Sequence, residues 1–318
     1  MRVTVLLGGW SSERAVSLVS GRGVAAAARA QGHEVTELDM GETPAAGATI
    51  GERLLATRPE VVFNALHGTP GEDGTVQGLM DLLGLAYTHS GVAASALAID
   101  KALTKALLVP QGIRMPAGRI VTRAELFAGD PLPRPYVLKP VNEGSSVGVA
   151  IVTADSACGT PIHPATQGPW QQYDRLLAEP FVAGLELTVA VLEDPATGAA
   201  EPLAVTELKP ASGLYDYDAK YTEGLTTHVC PAAIPVEVAA DALATAARAH
   251  RLLGCRGVSR ADFRFDPARG RDGLFLLEVN TQPGMTPLSL VPEQAAHRGI
   301  SYQDLVERLL LLAAGGAR

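Results

Sequence analysis

Cysteine pairs and long apolar runs are nearly absent from this sequence. The 318 residues include three cysteines, Cys158, Cys230 and Cys255, and no CxxC pair. An odd number of cysteines without such a pair argues against a disulfide framework and a zinc knuckle, and it fits a reducing cytoplasm. No stretch approaches about 18 uninterrupted apolar residues, so the sequence predicts no transmembrane helix. The apolar run at residues 2–8 is too short for a signal peptide and is typical of a first strand.

Positive charge, and lysine above all, is also scarce. The net charge of −8 argues against a nucleic-acid surface as the main function. Of the 26 basic residues, only five are lysines. They are Lys101, Lys105, Lys139, Lys209 and Lys220. A single lysine in an arginine-rich sequence can be chance, but several lysines inside other motifs would mark sites that need a compact ammonium group.

The chain has ample material for buried cores. Its length predicts two or three domains, and 47% of its residues are hydrophobic. Alternating strands and helices over about the first ninety residues predict an open parallel sheet, with ligand-binding loops at the carboxyl ends of its strands. Such loops follow residues 2–8 and 61–66. Ser11 or Ser12 is expected to cap the first helix, which runs to Ala30.

Further elements follow from the hydrophobic pattern and from glycine and proline. A helix is predicted over residues 95–109, and no regular helix is expected in the Pro- and Gly-rich residues 157–170. Residues 193–198 are typical of a hairpin turn. The remaining predictions are strands at 136–140, 186–192, 201–208, 258–265 and 273–279, and helices at 235–253 and 301–313.

Two strand-like segments carry the residues of a candidate metal site. Arg260 and Asp262 alternate on one strand, and Glu278 and Asn280 alternate on the next, so each pair shares a face. Two carboxylates and an amide oxygen form an all-oxygen site of the kind that holds Mg²⁺ on nucleotide phosphates. The alternative is an exposed sheet face on which these charges satisfy one another.

Two other segments are suited to a nucleotide. The glycine–serine loop at 143–148 offers backbone N–H groups to a phosphate, and Lys139 lies just before it. The loop matches neither the Walker pattern nor GxGxxG, and alone it could be a turn. The proline-broken connector at 179–186 has two glutamates that can accept from an adenine amine and ribose hydroxyls; alone it could be a linker.

Taken in order, these residues resemble the D-alanine–D-alanine ligase family of the ATP-grasp superfamily. The resemblance covers nearly the whole chain, and three of the five lysines fall within it. The matching segments are residues 6–17; His67-Gly68 with 71–74; Asp100-Lys101; Lys139-Pro140 with 143–148; residues 215–221; Arg260 with Asp262; residues 278–281 with 283–286; and residues 289–292.

The resemblance implies a fold and a reaction. The fold would be α/β, or multi-domain α+β, with an N-terminal open parallel domain at 1–94, a central ATP-grasp subdomain at 95–180 and a C-terminal one at 181–318. The long segment 206–231 would be a lid over the nucleotide that excludes water. Members of the family join two D-alanines through D-alanyl phosphate, using ATP and Mg²⁺ or Mn²⁺, for peptidoglycan synthesis.

The resemblance also implies the site residues. Asp262, Glu278 and Asn280 would hold two Mg²⁺ ions. ATP would be bound by Lys101, Lys139, Glu143, Ser145, Ser146, Glu179, Phe181, Val182, Glu186 and Lys220. The first D-alanine would meet Glu13 and His67, and the second would meet Ser289 and Leu290. Arg260 and the N–H of Gly284 would stabilise the intermediates, and Glu13, Ser145 and Tyr221 would form a hydrogen-bonded triad.

Two departures from the family pattern concern adenine. Residues 157–170 replace a longer helical segment, and Arg264 stands where an apolar residue usually supports the base, so its plane could stack there instead. Two other functions stay open at this point. One is a ligase that uses D-lactate as the second substrate, and the other is a regulatory scaffold with a degenerate site. The resemblance further implies a cytoplasmic homodimer without nucleic-acid or membrane partners.

Overall fold

The computed structural model describes residues 1–47, 49–144, 147–154, 162–211, 224–287 and 289–315. The strands of this part are β1 (Arg2–Leu7), β2 (Glu34–Asp39), β3 (Val61–Asn64), β4 (Arg119–Thr122), β5 (Tyr136–Pro140), β6 (Ala150–Val152), β7 (Arg175–Pro180), β8 (Leu185–Glu193), β9 (Ala200–Pro210), β10 (Thr226–Val229), β11 (Val258–Phe265) and β12 (Leu274–Asn280). Its α-helices are α1 (Arg14–Ala30), α2 (Pro44–Gly47), α3 (Ile50–Ala56), α4 (Thr75–Leu82), α5 (Val92–Ile99), α6 (Lys101–Leu108), α7 (Arg123–Ala128), α8 (Val236–Leu253), α9 (Leu290–His297) and α10 (Tyr302–Gly315).

The first sheet is open and parallel, as the sequence predicted. Its strand order is β2-β1-β3, and Val3 pairs with both Val35 and Val61. The predicted serine cap of α1 is wrong, because Glu13 occupies the N-cap position and no side chain caps the helix. The Ser11 hydroxyl instead donates to the carbonyl of His67 at 2.6 Å. The same oxygen accepts from the N–H of Glu13 at 3.2 Å, so it bonds the loop before α1 and not the first turn of the helix.

The single helix predicted over 95–109 is two helices. The backbone of Asp100 is extended, and it separates α5 from α6. Its carboxylate accepts hydrogen bonds from the N–H groups of Ala102 and Leu103, both at 2.9 Å. Aspartate is a strong N-cap, and this cap holds the new helix that begins at Lys101.

The second sheet is antiparallel with the order β4-β7-β5-β6. It packs on an apolar cluster that includes Tyr136, Leu138 and Trp170. Trp170 lies in a short 3₁₀ turn, Pro169–Gln171, and its indole N–H donates to the carbonyl of Thr166 at 3.0 Å. The described part of the Pro- and Gly-rich segment thus has no α-helix, as predicted, and is anchored by a buried tryptophan; residues 155–161 lie outside the described residues.

The third sheet has five antiparallel strands in the order β10-β9-β8-β11-β12. The predicted hairpin turn joins β8 to β9, and its Asp194 N–H donates to the carbonyl of Ala199 at 2.9 Å. Helix α9 is tied to the sheet by Gln294, which is buried. Its side chain accepts from the N–H of Ala190 at 2.7 Å and donates to the carbonyl of Thr188 at 3.2 Å.

Strands β11 and β12 contain a bulge beside the candidate metal site. Asp262 pairs with Glu278, but the next residue, Phe263, pairs with Leu276, so Leu277 has no direct partner. A bulge breaks the alternation of side chains along a strand. Leu277 and Glu278 consequently both line the cleft between the second and third sheets.

Helix α10 packs against the first sheet, which lies at the other end of the sequence. Val306 and Leu309 of α10 join Val3 and Val24 in one buried cluster, which covers the face of the first sheet. Each sheet lies within one of the predicted segments 1–94, 95–180 and 181–318, and that division stays a prediction. Among the described residues, no helix combines the length and apolar content needed to cross a bilayer.

We expect Asp100→Ala to lower the free energy of unfolding by about 1 kcal/mol, because two N–H groups at the start of α6 lose their acceptor. Asp100→Asn keeps an acceptor at the same place and is the matched control. Urea denaturation followed by circular dichroism measures both. An alanine variant as stable as the asparagine variant would contradict the capping role.

Candidate active site

The register of β11 and β12 brings together the four residues of the candidate metal site. Arg260 lies opposite Asn280, and Asp262 lies opposite Glu278. The Arg260 guanidinium donates to both carboxylate oxygens of Asp262 at 2.8 and 2.7 Å. Thr188, on the neighbouring strand β8, donates to the same carboxylate at 2.6 Å. The charges therefore satisfy one another within the same group that the sequence proposed for a metal.

The donor set fits a hard divalent cation. Asp262 and Glu278 offer carboxylate oxygens, and Asn280 offers an amide oxygen that accepts one bond, from the N–H of Gln282 at 2.8 Å. Mg²⁺ and Mn²⁺ prefer such oxygen ligands. Lys101 supplies positive charge nearby, with its Nζ 3.4 Å from Glu278.

A cleft between the second and third sheets collects most of the predicted ATP residues. Lys101 and Glu278 line it, so it continues into the candidate metal site. Its other lining residues include Val137, Lys139, Glu143, Val147, Ile151, Glu179, Phe181, Val182, Glu186, Asp262, Arg264 and Leu277. Apolar walls with a few convergent charges are typical of nucleotide and small-ligand sites.

Hydrogen bonds and ion pairs hold the lysines in the cleft and beside it. Lys101 donates to the carbonyl of Glu143 at 2.5 Å. Lys139 and Lys105 contact different oxygens of Glu179, at 2.7 and 2.5 Å. Burial raises the pKa of Glu179, but the two lysines lower it more, so its pKa lies below the usual range.

Arg264 supports the connector at 179–186. Its Nε donates to the carbonyl of Val182 at 3.1 Å, and its Nη1 lies 3.3 Å from Glu186. Its guanidinium carbon lies 5.4 Å from the ring centre of Phe181. The stacking plane that the sequence predicted for Arg264 is thus placed against Phe181, a cation–π contact within the protein.

Glu13, His67 and Glu72 cluster at the other end, where loops follow β1 and β3. His67 Nδ1 lies 3.3 Å from Glu72, and all three side chains are buried. A Cβ on Gly144 would lie 3.3 Å from a carboxylate oxygen of Glu72 and 3.8 Å from one of Glu13. The glycine lets the glycine–serine loop approach this acidic pair closely.

Burial and charge shift the proton affinities of this cluster. Burial lowers the pKa of His67, but the hydrogen bond to Glu72 and the charges of Glu72 and Glu13 outweigh it and raise the pKa above its usual value. Burial raises the pKa of Glu72, and the charge of Glu13 adds to the rise, although His67 opposes it. The cluster is a negatively charged pocket suited to an ammonium group.

Gly284, which is predicted to stabilise the intermediates, lies beside Ser289, which is predicted to bind the second D-alanine. A Cβ on Gly284 would lie 2.9 Å from Ser289 Oγ, so only glycine fits there without a shift. Ser289 stands at the N-cap of α9, and its hydroxyl accepts from the N–H of Thr286 at 3.0 Å. The side chain of Leu290 packs against Leu208, so only its backbone is available to a substrate.

Four predicted residues, Ser145, Ser146, Lys220 and Tyr221, lie outside the described residues, and the triad stays a prediction. The predicted lid needs narrower bounds. Residues 206–210 belong to β9 and 226–229 to β10, and Thr227 pairs with Lys209. The described ends of the predicted lid are therefore paired strands.

Four residues that contact predicted site residues have no role in the sequence prediction. Glu72 was inside a matching motif, and Lys105 is a rare lysine one helical turn after Lys101, so both left a readable signal. Thr188 binds Asp262, and the Tyr173 hydroxyl donates to Glu143 at 3.2 Å. Nothing in the local pattern marks these two.

Comparisons with known proteins found similar sequences that share one description. Two family models match, described as D-ala D-ala ligase N-terminus over residues 40–90 and D-ala D-ala ligase C-terminus over residues 128–311. A D-alanine–D-alanine ligase from Novosphingobium aromaticivorans is 63% identical over 310 residues, covering 98% of this chain and 95% of that protein.

Solved structures give the same result. The D-alanine–D-alanine ligase from Bacillus anthracis is 27% identical with a TM-score of 0.77, covering 98% of this chain and 97% of that one. Its complex with ATP has a TM-score of 0.75 at 24% identity, with the same coverage. The likeness shows that the chain has the α/β ATP-grasp fold that the sequence predicted.

The buried His67–Glu72 pair predicts how stability depends on pH. Both pKa values are raised in the folded state, so the folded protein binds protons more tightly than the unfolded chain and loses stability as pH rises. Relative to the variant His67→Asn/Glu72→Gln, the protein should lose stability as pH rises from 4.5 to above 6.5, the ordinary pKa values of the two side chains. Urea denaturation at a series of pH values measures the free energy of unfolding of both proteins. A difference between the two that stays constant across that range would refute the prediction.

Proposed function

The chain belongs to the D-alanine–D-alanine ligase family, and we propose that it joins two D-alanines through D-alanyl phosphate in the cleft described above. The observation that carries the proposal is the register that sets Arg260 and Asp262 opposite Asn280 and Glu278. This register supports a cation site at the end of a cleft that Lys101 and Lys139 line. The acidic cluster of Glu13, His67 and Glu72 lies next to the glycine–serine loop on the other side.

In the first step, a carboxylate oxygen of D-alanine attacks the γ-phosphate of ATP. The bond to the β-phosphate oxygen breaks, and ADP leaves. Both reactants are anions, so cationic groups must offset their repulsion. Lys101 and Lys139 are placed to bind the phosphates. Glu13 would accept from the D-alanine ammonium, with His67 beside the substrate carboxylate.

The metal ligands fit this chemistry. Asp262, Glu278 and Asn280 would hold two Mg²⁺ ions, with Mn²⁺ as a substitute. When bound, the ions neutralise charge on the phosphate oxygens. Arg260 is bound to Asp262 on the same face of the sheet. Arg260 would move from this carboxylate toward the acyl phosphate.

In the second step, the amine of another D-alanine attacks the carbonyl carbon of D-alanyl phosphate. The C–O bond to phosphate then breaks, giving the dipeptide and inorganic phosphate, and the amine loses a proton. Ser289 and the backbone of Leu290 would hold the carboxylate of the second D-alanine. Arg260 and the N–H of Gly284 would stabilise the tetrahedral oxyanion.

We also propose that the enzyme works in the cytoplasm as a homodimer and supplies peptidoglycan synthesis. Cys230 and Cys255 are free thiols, which fits a reducing compartment. Three structural units, at 1–94, 95–180 and 181–318, with a lid between β9 and β10, complete the proposal. Sedimentation at several protein concentrations tests the dimer.

The proposal predicts the products. With ATP, Mg²⁺ and D-alanine, the protein should release ADP and phosphate and form D-alanyl-D-alanine. With L-alanine in place of D-alanine, none of these products should form. D-lactate offered with D-alanine separates this function from a depsipeptide ligase. Mass spectrometry identifies the products. An ester as the main product, or no phosphate release with D-alanine, would contradict the proposal.

We expect Glu278→Gln to reduce turnover by at least about 100-fold, because the site loses carboxylate charge that would hold the ions. Glu201→Gln removes an exposed carboxylate on β9 and is the matched control. Phosphate release at saturating ATP measures both variants. Near-normal turnover in a folded Glu278→Gln protein would remove the magnesium assignment.

A further inference from the structure

Lys105 contacts a proposed ATP residue, yet the mechanism above gives it no role. It lies on α6, one turn after Lys101. Its Nζ lies 2.5 Å from Oε1 of Glu179 and also donates to the carbonyl of Pro116. Lys139 reaches the other oxygen, Oε2, at 2.7 Å. Each oxygen of one carboxylate therefore has its own ammonium group.

The charge of the second lysine exceeds what is needed to neutralise the Glu179 carboxylate. Glu179 is only 2% exposed, so its charge needs a partner, but one ammonium would balance it. Two lysines leave the trio with a net positive charge in a buried place. Such an excess is costly on its own and is useful beside an anionic ligand.

The two lysines differ in what they can reach. Among the described residues that line the cleft, Lys139 is present and Lys105 is not. Lys105 stands behind Glu179 and is tied to a backbone carbonyl as well. Lys139 lies on β5, just before the glycine–serine loop, and can turn toward phosphate oxygens.

We infer that Lys105 is a positioning residue, the permanent counter-ion of Glu179 that frees Lys139 to bind the phosphates of ATP. The inference rests on the proposed function. Without Lys105, a buried Glu179 carboxylate depends on Lys139 alone. Lys139 must then choose between that carboxylate and the nucleotide. ATP binding weakens, while the groups that contact the reacting atoms stay in place.

The test is a double-mutant cycle on the full-length protein with ATP, Mg²⁺ and saturating D-alanine. Lys105→Met should raise KM for ATP about tenfold or more, the cost of withdrawing one charged hydrogen-bond partner, with kcat within about threefold. In a Glu179→Gln background, the same substitution should change KM by less than about twofold, because a neutral amide needs no counter-ion. Lys105→Arg should keep KM within about threefold, because the charge remains.

Arg119→Met is the matched control. It removes one cation from an exposed ion pair, Arg119–Glu125 at 3.1 Å, in the same part of the fold, and should leave KM unchanged. An unchanged KM in Lys105→Met, or an equal rise in the Glu179→Gln background, would overturn the inference. If Lys105→Met does not fold, Lys105→Arg decides, and a tenfold rise of KM there would overturn it. Loss of ATP turnover in the unmodified protein would instead refute the proposed function.

Discussion

The antiparallel pairing of β11 with β12 is the constraint on which the rest of the site depends. It is a backbone hydrogen-bond pattern, yet it decides which side chains meet. A slip by one residue would turn Asp262 and Glu278 to opposite faces. Thr188 on β8 also binds Asp262. Three neighbouring strands therefore position the side chains of the candidate metal site. The bulge after Asp262 adds Leu277 to the wall of the cleft, so the same pairing shapes both the polar and the apolar parts of the pocket.

Several carboxylates of the site have a cationic partner in the structure. Asp262 has Arg260, Glu278 has Lys101, and Glu179 has two lysines. Under the proposed function, binding of a nucleotide with its cations would exchange these ionic partners. Such an exchange avoids exposing an isolated charge to a low-dielectric interior at any stage. The cluster of Glu13, His67 and Glu72 is different, because two carboxylates act on one histidine there.

Much of the architecture could be predicted from residue order, because strands and their alternation are local properties. The shared faces of Arg260 with Asp262 and of Glu278 with Asn280 follow from period-two geometry. The break at Asp100 was also readable, since aspartate before a new apolar repeat is a capping signal. The absence of a serine cap on α1 was not readable, because the hydroxyl of Ser11 donates to the distant His67 and accepts from Glu13, which lies before the first turn. Thr188 is likewise placed by a contact with Asp262, which lies far from it in the chain.

The contribution of α10 to the first sheet has a consequence for biosynthesis. Strands β1 to β3 leave the ribosome early, but the face they share with α1 is covered by residues of the 302–315 helix. Vectorial folding from the N-terminus thus yields an incomplete unit with exposed valines and leucines. That unit waits through more than two hundred further residues of translation, and its closure is a long-range event of the kind that folds slowly. The nascent chain needs protection from aggregation at its oldest segment, not at its newest.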